Sequence, residues 1–238
     1  MLLNCDVKSL EVVAAAQLSG DKVLSLEIIE RIDTHAVNQK RFSLPDRVTA
    51  KRFVFKLLYG ATAYGYSVDS DFLGVGFSQK QWQEVIDEFY NKYTGIARWH
   101  KALIHEAQST GRLVIPSGRY YPIVPDYKKR EPWPVTIIKN YPVQGFGADL
   151  VMLARLQAQK LISKANLGAL PVCTIHDSLV YDVDNDMKIV YNIGVLLKQA
   201  VEDVPRLCKE IWNYDFKLPL TAEVQYGINK ADMQEIKF

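Results

Sequence analysis

The chain has 238 residues, 48% of them apolar and 24% charged, with 29 basic against 27 acidic side chains for a net charge of +2. The apolar share and the near balance of charge exclude an intrinsically disordered chain, and 13 Gly with 10 Pro exclude collagen-like or low-complexity sequence. So small a net charge announces no nucleic-acid partner by itself, because that footprint needs basic residues clustered on one face.

From the N-terminus, Leu2-Leu3-Asn4-Cys5-Asp6-Val7 reads as a short buried strand ending in an acid. Leu10 to Leu18 has the composition of a short buried helix, closed by Ser19-Gly20-Asp21, and Val23 to Ile32 alternates apolar pairs with charges at helical spacing. Phe42 to Asp46 is a loop whose Asp46 suits the N-cap of a helix from Arg47 to about Tyr59, stopped by Gly60. A short helix or turn follows near Thr62 to Tyr66, then a loop from Asp69 to Ser78. Gln79 to about Gln108 is amphipathic, with Trp82, Ile86, Phe89, Tyr93 and Trp99 on its apolar stripe and a break at Thr94-Gly95.

Gly111 to Ile123 has the pattern of a hairpin turning at Pro116-Ser117-Gly118, and Pro125 to Pro134 that of a basic, Pro-rich loop. Helix is predicted from about Pro142, proline being tolerated in a first turn, through Ala165. Leu170 to Ile175 and Leu179 to Val183 are β-rich and separated only by His176-Asp177-Ser178, a hairpin with an acid at its tip. A helix from Met187 to about Val204 and a strand from Leu218 to Tyr226 close the chain. This order of elements predicts an α+β fold with an antiparallel sheet.

Cys5, Cys173 and Cys208 are scattered and show no CxxC spacing, so neither a disulfide framework nor a zinc cluster is expected. No apolar run approaches the roughly 18 to 20 residues of a membrane span, and no basic-then-apolar leader precedes Cys5. A cytoplasmic protein without a membrane partner is the expectation.

Two patterns could carry chemistry. Asp6 and Asp177 stand at the ends of apolar strands, where a rigid element holds a carboxylate yet lets it reach solvent; two such acids on adjacent strands can bind a pair of Mg²⁺ ions. Each acid alone reads more readily as an ordinary turn residue. Arg47, Lys51, Phe55 and Tyr59 recur every fourth residue, which on a helix places two cations and then two rings along one face. Cations suit a triphosphate and rings a base, although a half-exposed amphipathic helix has the same spacing.

Taken together, these patterns resemble family A DNA polymerases, the bacterial polymerase I type. Asp6-Val7-Lys8-Ser9-Leu10-Glu11 is similar to motif A (D-x-S-x-x-E-L-R), and the stretch from Arg47 to Gly60 to motif B (R-x-x-x-K-x-x-x-F-G-x-x-Y-G). Ile175-His176-Asp177-Ser178 is similar to motif C (V-H-D-E), Asp33-Thr34-His35 to the D-I-H element, and Asn140 to Gly145 to N-x-P-x-Q-G. The hairpin Gly111-Arg112 to Gly118-Arg119 also falls in the right place, so the resemblance spans essentially the whole chain.

The resemblance implies a palm with an antiparallel sheet (residues 1–34 and 111–238) and helical fingers (35–110). It implies two Mg²⁺ ions held by Asp6, Asp177 and the Val7 carbonyl. It places Glu11 under the sugar of an incoming dNTP, and Arg47, Lys51 and His35 on its triphosphate, with Lys51 also protonating the leaving pyrophosphate. Phe55 would line the sugar side, Tyr59 would stack at the templating position, and Asn140, Gln144 and His176 would contact the primer–template.

Departures from the pattern are Lys8 for the motif A serine, Val13 for the arginine after E-L, Lys56 for the glycine after Phe55, and Ser178 for the acid after the motif C aspartate. The last implies altered rate or metal preference. Family members carry a thumb, and usually an exonuclease-like domain, before motif A. Here five residues precede Asp6, so the expectation is palm and fingers alone, an excised fragment or one half of a split viral or phage-like polymerase in the host cytoplasm. The expected function is a template-directed DNA polymerase core. The alternative is a module that binds dNTP or DNA but needs a separate chain carrying the thumb; Glu11 argues against an RNA-synthesising relative.

Overall fold

A computed structural model describes all 238 residues. The first half forms β1 (Leu2–Val7), α1 (Leu10–Ser19), α2 (Lys22–Ile29), α3 (Thr34–Arg41), α4 (Arg47–Leu58), α5 (Ala63–Val68), a 3₁₀ turn (Leu73–Val75), α6 (Gln79–Lys92) and α7 (Thr94–Thr110). It is followed by β2 (Arg112–Val114), β3 (Tyr120–Pro122), α8 (Val135–Lys164), β4 (Ala169–Ile175), β5 (Ser178–Val183), α9 (Met187–Glu202), α10 (Val204–Trp212), β6 (Ala222–Gly227) and β7 (Gln234–Glu235). The fold is α+β with antiparallel strands, as expected.

Several elements differ from the sequence expectation, and α3 lies in a stretch for which no helix was expected. Helix α8 begins at Val135, so Pro142 lies inside it. The start signal is instead Pro134, immediately before the helix; Pro142 lacks the N–H that would meet the Ile138 carbonyl one turn back. The helix expected to run to Val204 stops at Glu202, and α10 restarts with a proline in its first turn. The last strand is shortened to Ala222–Gly227 and gains a two-residue neighbour, β7, that no periodicity marked.

The chain divides into two compact units, one made of Met1–Glu11 with Gly145–Phe238 and the other of Val12–Gln144. The first unit holds a five-stranded sheet in the order β4-β5-β1-β6-β7. Strand β1 is central, pairing Cys5 with Leu179 on β5 and with Val224 on β6. Strict alternation sends Leu3, Cys5 and Val7 to a buried face, 0%, 0% and 2% exposed. Helix α9 packs on β1 and β6, with Val190, Ile193, Leu197 and Val201 buried. Asn4 and Asp6 take the opposite face.

The second unit is helical apart from the β2–β3 ribbon. Phe53, Tyr66, Phe72, Phe89 and Tyr93 form an aromatic core with Trp82, in which Tyr66 and Trp82 stack with centroids 5.0 Å apart and the Tyr66 hydroxyl donates to the Phe53 carbonyl at 2.7 Å. Beside it lies a buried polar network. Lys92 Nζ meets Glu27 at 2.8 Å and Asn38 Oδ1 at 2.7 Å, and the Tyr93 hydroxyl donates to Glu27 at 2.8 Å. Each charge is thus paired and hydrogen-bonded, as burial demands.

Asp21 joins the helices at one point. Its carboxylate accepts from Leu24 N–H at 2.9 Å, capping α2, and from Gly95 N–H at 2.7 Å in the first turn of α7. A Cβ on Gly95 would sit 2.5 Å from the Asp21 Cα, a backbone atom that has nowhere to retreat. Gly95→Ala is therefore expected to lower unfolding stability by about 1–3 kcal/mol, the usual cost of overpacking. Urea denaturation measures this, and an unshifted midpoint would refute the close approach.

Candidate active site

The acidic cluster is built by register. Across β1, Asp6 pairs with Ser178 on β5 and Glu223 on β6, and antiparallel partners point to the same face. The β4–β5 turn consists of His176 and Asp177, with His176 at φ 52, a left-handed conformation more usual for glycine. Val7 N–H donates to the Asp177 carbonyl at 3.0 Å, which ties the turn to the end of β1. The Ser178 hydroxyl donates to Asp6 Oδ1 at 2.7 Å.

Burial raises the Asp6 carboxyl above its usual range; the Ser178 hydrogen bond opposes that, and the charges of Asp177 and Glu223 add to it. Two carboxylates that repel one another across a partly buried gap fit a hard cation, which would relieve that repulsion. No three His, Cys, Asp or Glu side chains converge into a ready-made cage. Glu223 is engaged elsewhere, by Lys8 Nζ at 3.3 Å and Gln225 Nε2 at 2.9 Å. Glu11 stands partly buried in the first turn of α1, and His176 is exposed.

In the helical unit, Asp46 caps α4 through Thr49 N–H at 2.8 Å, as expected from the sequence. Ala50, Phe53, Val54, Leu57 and Leu58 turn inward, so the face carrying Arg47, Lys51, Phe55 and Tyr59 is the exposed or half-exposed one. Lys51 Nζ lies over the Phe55 ring, 5.7 Å from its centroid. Arg47 Nε donates to Asp33 Oδ2 at 2.6 Å, leaving its terminal nitrogens for another anion. Asp33 also caps α3 through Ala36 N–H at 3.0 Å, and its carboxyl is held below the usual range mainly by Arg47.

His35 packs against Phe55, ring centroids 5.9 Å apart, and its Nδ1 is buried without a hydrogen-bond partner. Burial first, and then the cations of Arg47 and Lys51, push it down to about 4. It is a neutral imidazole near pH 7, able to hydrogen-bond a phosphate but adding no charge.

Tyr59 ends α4, and its hydroxyl accepts from Gln144 Nε2 at 2.6 Å, joining two residues expected at the primer–template. Asn140 stands one turn before Gln144 on α8 and is half-buried. Gly60 follows at φ 89, where a Cβ would come within 3.2 Å of the Thr136 Cα, so both backbone conformation and the approach of α8 require glycine. Lys56, the departure from a glycine pattern, reaches Asp71 at 2.9 Å and also pairs with Asp69, fastening α4 to the loop after α5.

Sequence reasoning missed the anchor that Asp33 provides for Arg47, the pairing of Lys8 with Glu223, and the hydroxyl donor on Asp6. Local sequence carries no signal for contacts that depend on strand register or helix packing.

Acids on adjacent strands and a cation-and-ring helix face accompany a chain that belongs to DNA polymerase family A, whose family model matches residues 1–232. Among its relatives, DNA polymerase I of Lactococcus lactis subsp. lactis IL1403 is 25% identical over 220 residues, 87% of this chain and 24% of that protein. DNA polymerase I of Mycobacterium tuberculosis H37Rv is 27% identical over 194 residues, 76% of this chain and 21% of that protein. The chain thus spans about a quarter of the length of these curated relatives. The fold is similar to the POL domain of Pol1 from M. smegmatis, in complex with DNA primer-template and dNTP, with a TM-score of 0.78 at 21% identity over 95% of this chain and 39% of that one. No helix is long and apolar enough to cross a membrane.

Two buried histidines set a pH dependence. His35 is pushed down to about 4 and His100 to about 3, the latter by burial and then by Lys139, from an ordinary value of 6.5. Below that value the unfolded chain binds protons that the folded chain refuses, so stability falls with pH by about 1.4 kcal/mol per unit for each histidine. His35→Asn should about halve this slope between about pH 6.5 and 5 in urea denaturation. An unchanged slope would mean that His35 is charged in the fold.

Proposed function

We propose that this chain carries the catalytic core of a template-directed DNA polymerase, adding dNMP to a primer 3′-hydroxyl with release of pyrophosphate. The observation that carries this reading is the convergence of Asp6 and Asp177, beside one another at the end of β1 and the β4–β5 turn, in a chain of family A. Two Mg²⁺ ions held by Asp6, Asp177 and the Val7 carbonyl would supply charge stabilisation to the attacking and leaving oxygens.

Each remaining residue has a part in this reading. Arg47, pre-oriented by Asp33, and Lys51 hold the triphosphate, and Lys51 gives a proton to the departing pyrophosphate. His35 contributes a neutral hydrogen bond. Phe55 lines the sugar side, and Glu11 lies beneath the sugar, excluding a 2′-hydroxyl. Tyr59 stacks at the templating position, while Asn140, Gln144 and His176 contact the primer–template. Residues 1–34 and 111–238 act as palm and 35–110 as fingers. The DNA primer-template and dNTP bound by the M. smegmatis neighbour support both partners.

A second reading is a module that binds dNTP or DNA but needs a thumb-bearing partner for activity. Primer extension with labelled dNTP, by this chain alone and with a thumb-bearing fragment, separates the two. Asp6→Asn and Asp177→Asn are each expected to lower extension by about 10³-fold or more at unchanged thermal stability, since an amide oxygen lacks the charge that holds the metal. Substantial turnover in either variant removes the two-metal assignment.

Phe55 has no hydroxyl to replace the 3′-hydroxyl missing from a dideoxynucleotide. Phe55→Tyr should therefore raise dideoxynucleotide use about 10²-fold or more while dNTP use changes little. Unchanged selectivity would mean that Phe55 does not face the sugar.

A further inference from the structure

The position after Asp177 carries serine, and that serine is neither exposed nor idle. Ser178 is 7% exposed and is the first residue of β5, paired directly across from Asp6. Its hydroxyl lies 2.7 Å from Asp6 Oδ1. An ionised carboxylate only accepts, so the hydroxyl must donate, and the bond is of the charge-assisted kind. An acid at position 178 would instead add a like charge beside Asp6.

The other neighbour that could substitute for a missing carboxylate is Glu223, also opposite Asp6. It is committed to Lys8 and Gln225 and joins no convergent set of metal-binding side chains. Directly across the ladder from Asp6, this face therefore carries one hydroxyl donor and one carboxylate already paired with a cation.

We propose that Ser178 is a positioning residue that fixes the Asp6 carboxylate for divalent-metal binding through its hydroxyl, in place of a third acid. This rests on the polymerase reading and extends it to how the metal-holding acid is oriented. Groups that hydrogen-bond a metal ligand set its plane and limit its rotamers, and their removal costs roughly 10–100-fold in metal affinity or activity. The donor here comes from a strand residue whose backbone is locked into the ladder, so the hydroxyl has little freedom to wander.

The test is Mn²⁺ binding to the intact chain, followed by electron paramagnetic resonance of the free ion, with Asp6→Asn as the non-binding control. Ser178→Thr keeps the hydroxyl, whereas Ser178→Val has nearly the same shape without it, and Ser178→Ala guards against a variant too large for the site. Circular dichroism melts confirm that each is folded. The expected result is wild-type affinity within about 2-fold for Ser178→Thr, and a loss of about 10-fold or more for Ser178→Val and Ser178→Ala.

Equal affinity of Ser178→Ala and the wild type overturns the proposal. So does an equal loss in folded Ser178→Thr and Ser178→Val, because volume and not the hydroxyl would then matter. A wild-type chain that takes up no Mn²⁺ at millimolar concentration overturns the polymerase reading itself, and this proposal with it.

Discussion

The register of β1 between β5 and β6 is the constraint on which the acidic cluster depends. Because side chains alternate along a strand, one set of hydrogen bonds places Leu3, Cys5 and Val7 in the core and Asp6 on the opposite face. A slip of one residue would drive Asp6 into an apolar interior and expose three core residues at once. Burying Leu3, Cys5 and Val7 on one face of β1 therefore secures more than stability. It also determines that Asp6, Ser178 and Glu223 share one face, so a hydrophobic preference on one side of the strand specifies the electrostatics of the other.

The two units use charge in different ways. In the sheet unit, like charges are brought together, and the raised Asp6 carboxyl is the cost of holding it near Asp177 and Glu223 in partial burial. In the helical unit, every cation of α4 has an anchor: Arg47 on Asp33, Arg52 on Asp71, Lys56 on Asp69 and Asp71, and Lys51 over Phe55. Exposed pairs of this type add little to stability. Their effect is on side-chain entropy, since an arginine already held through Nε has less freedom to lose if its remaining nitrogens meet an anion. Small net charge and a strongly patterned surface are therefore compatible.

Much of this was legible locally. The β1 strand, the Asp46 cap and the turn of the β4–β5 hairpin are decided by residues within a few positions of one another, whereas the helix break expected at Thr94-Gly95 falls at Tyr93, and Thr94 and Gly95 open α7. The spacing of Arg47, Lys51, Phe55 and Tyr59 identified the face but not which way it points; that follows from Phe53, Val54 and Leu57 being drawn to the aromatic core around Trp82. The start of α8 was misplaced because two prolines eight residues apart compete for the same signal, and only packing of Ile138 with Leu103, Leu113 and Ile123 shows that the earlier turn is helical. The network of Asp21, Glu27, Asn38, Lys92 and Tyr93 was invisible because its members are brought together only by the tertiary fold.

The departures from the family pattern follow a common logic. Lys56, where a glycine is usual, finds Asp69 and Asp71; Lys8, where a serine is usual, finds Glu223; Ser178, where an acid is usual, finds Asp6. Two of the three act on the same face of the sheet and in the same direction. A lysine for a serine and a serine for an acid each make the surroundings of Asp6 more positive by one charge. In the proposed metal-binding role of Asp6, attraction of a divalent cation scales with the charge of its ligands, and orientation would supply what the lost charge does not. A carboxylate held by a short hydrogen bond to a residue locked in the neighbouring strand meets that requirement with no additional buried charge.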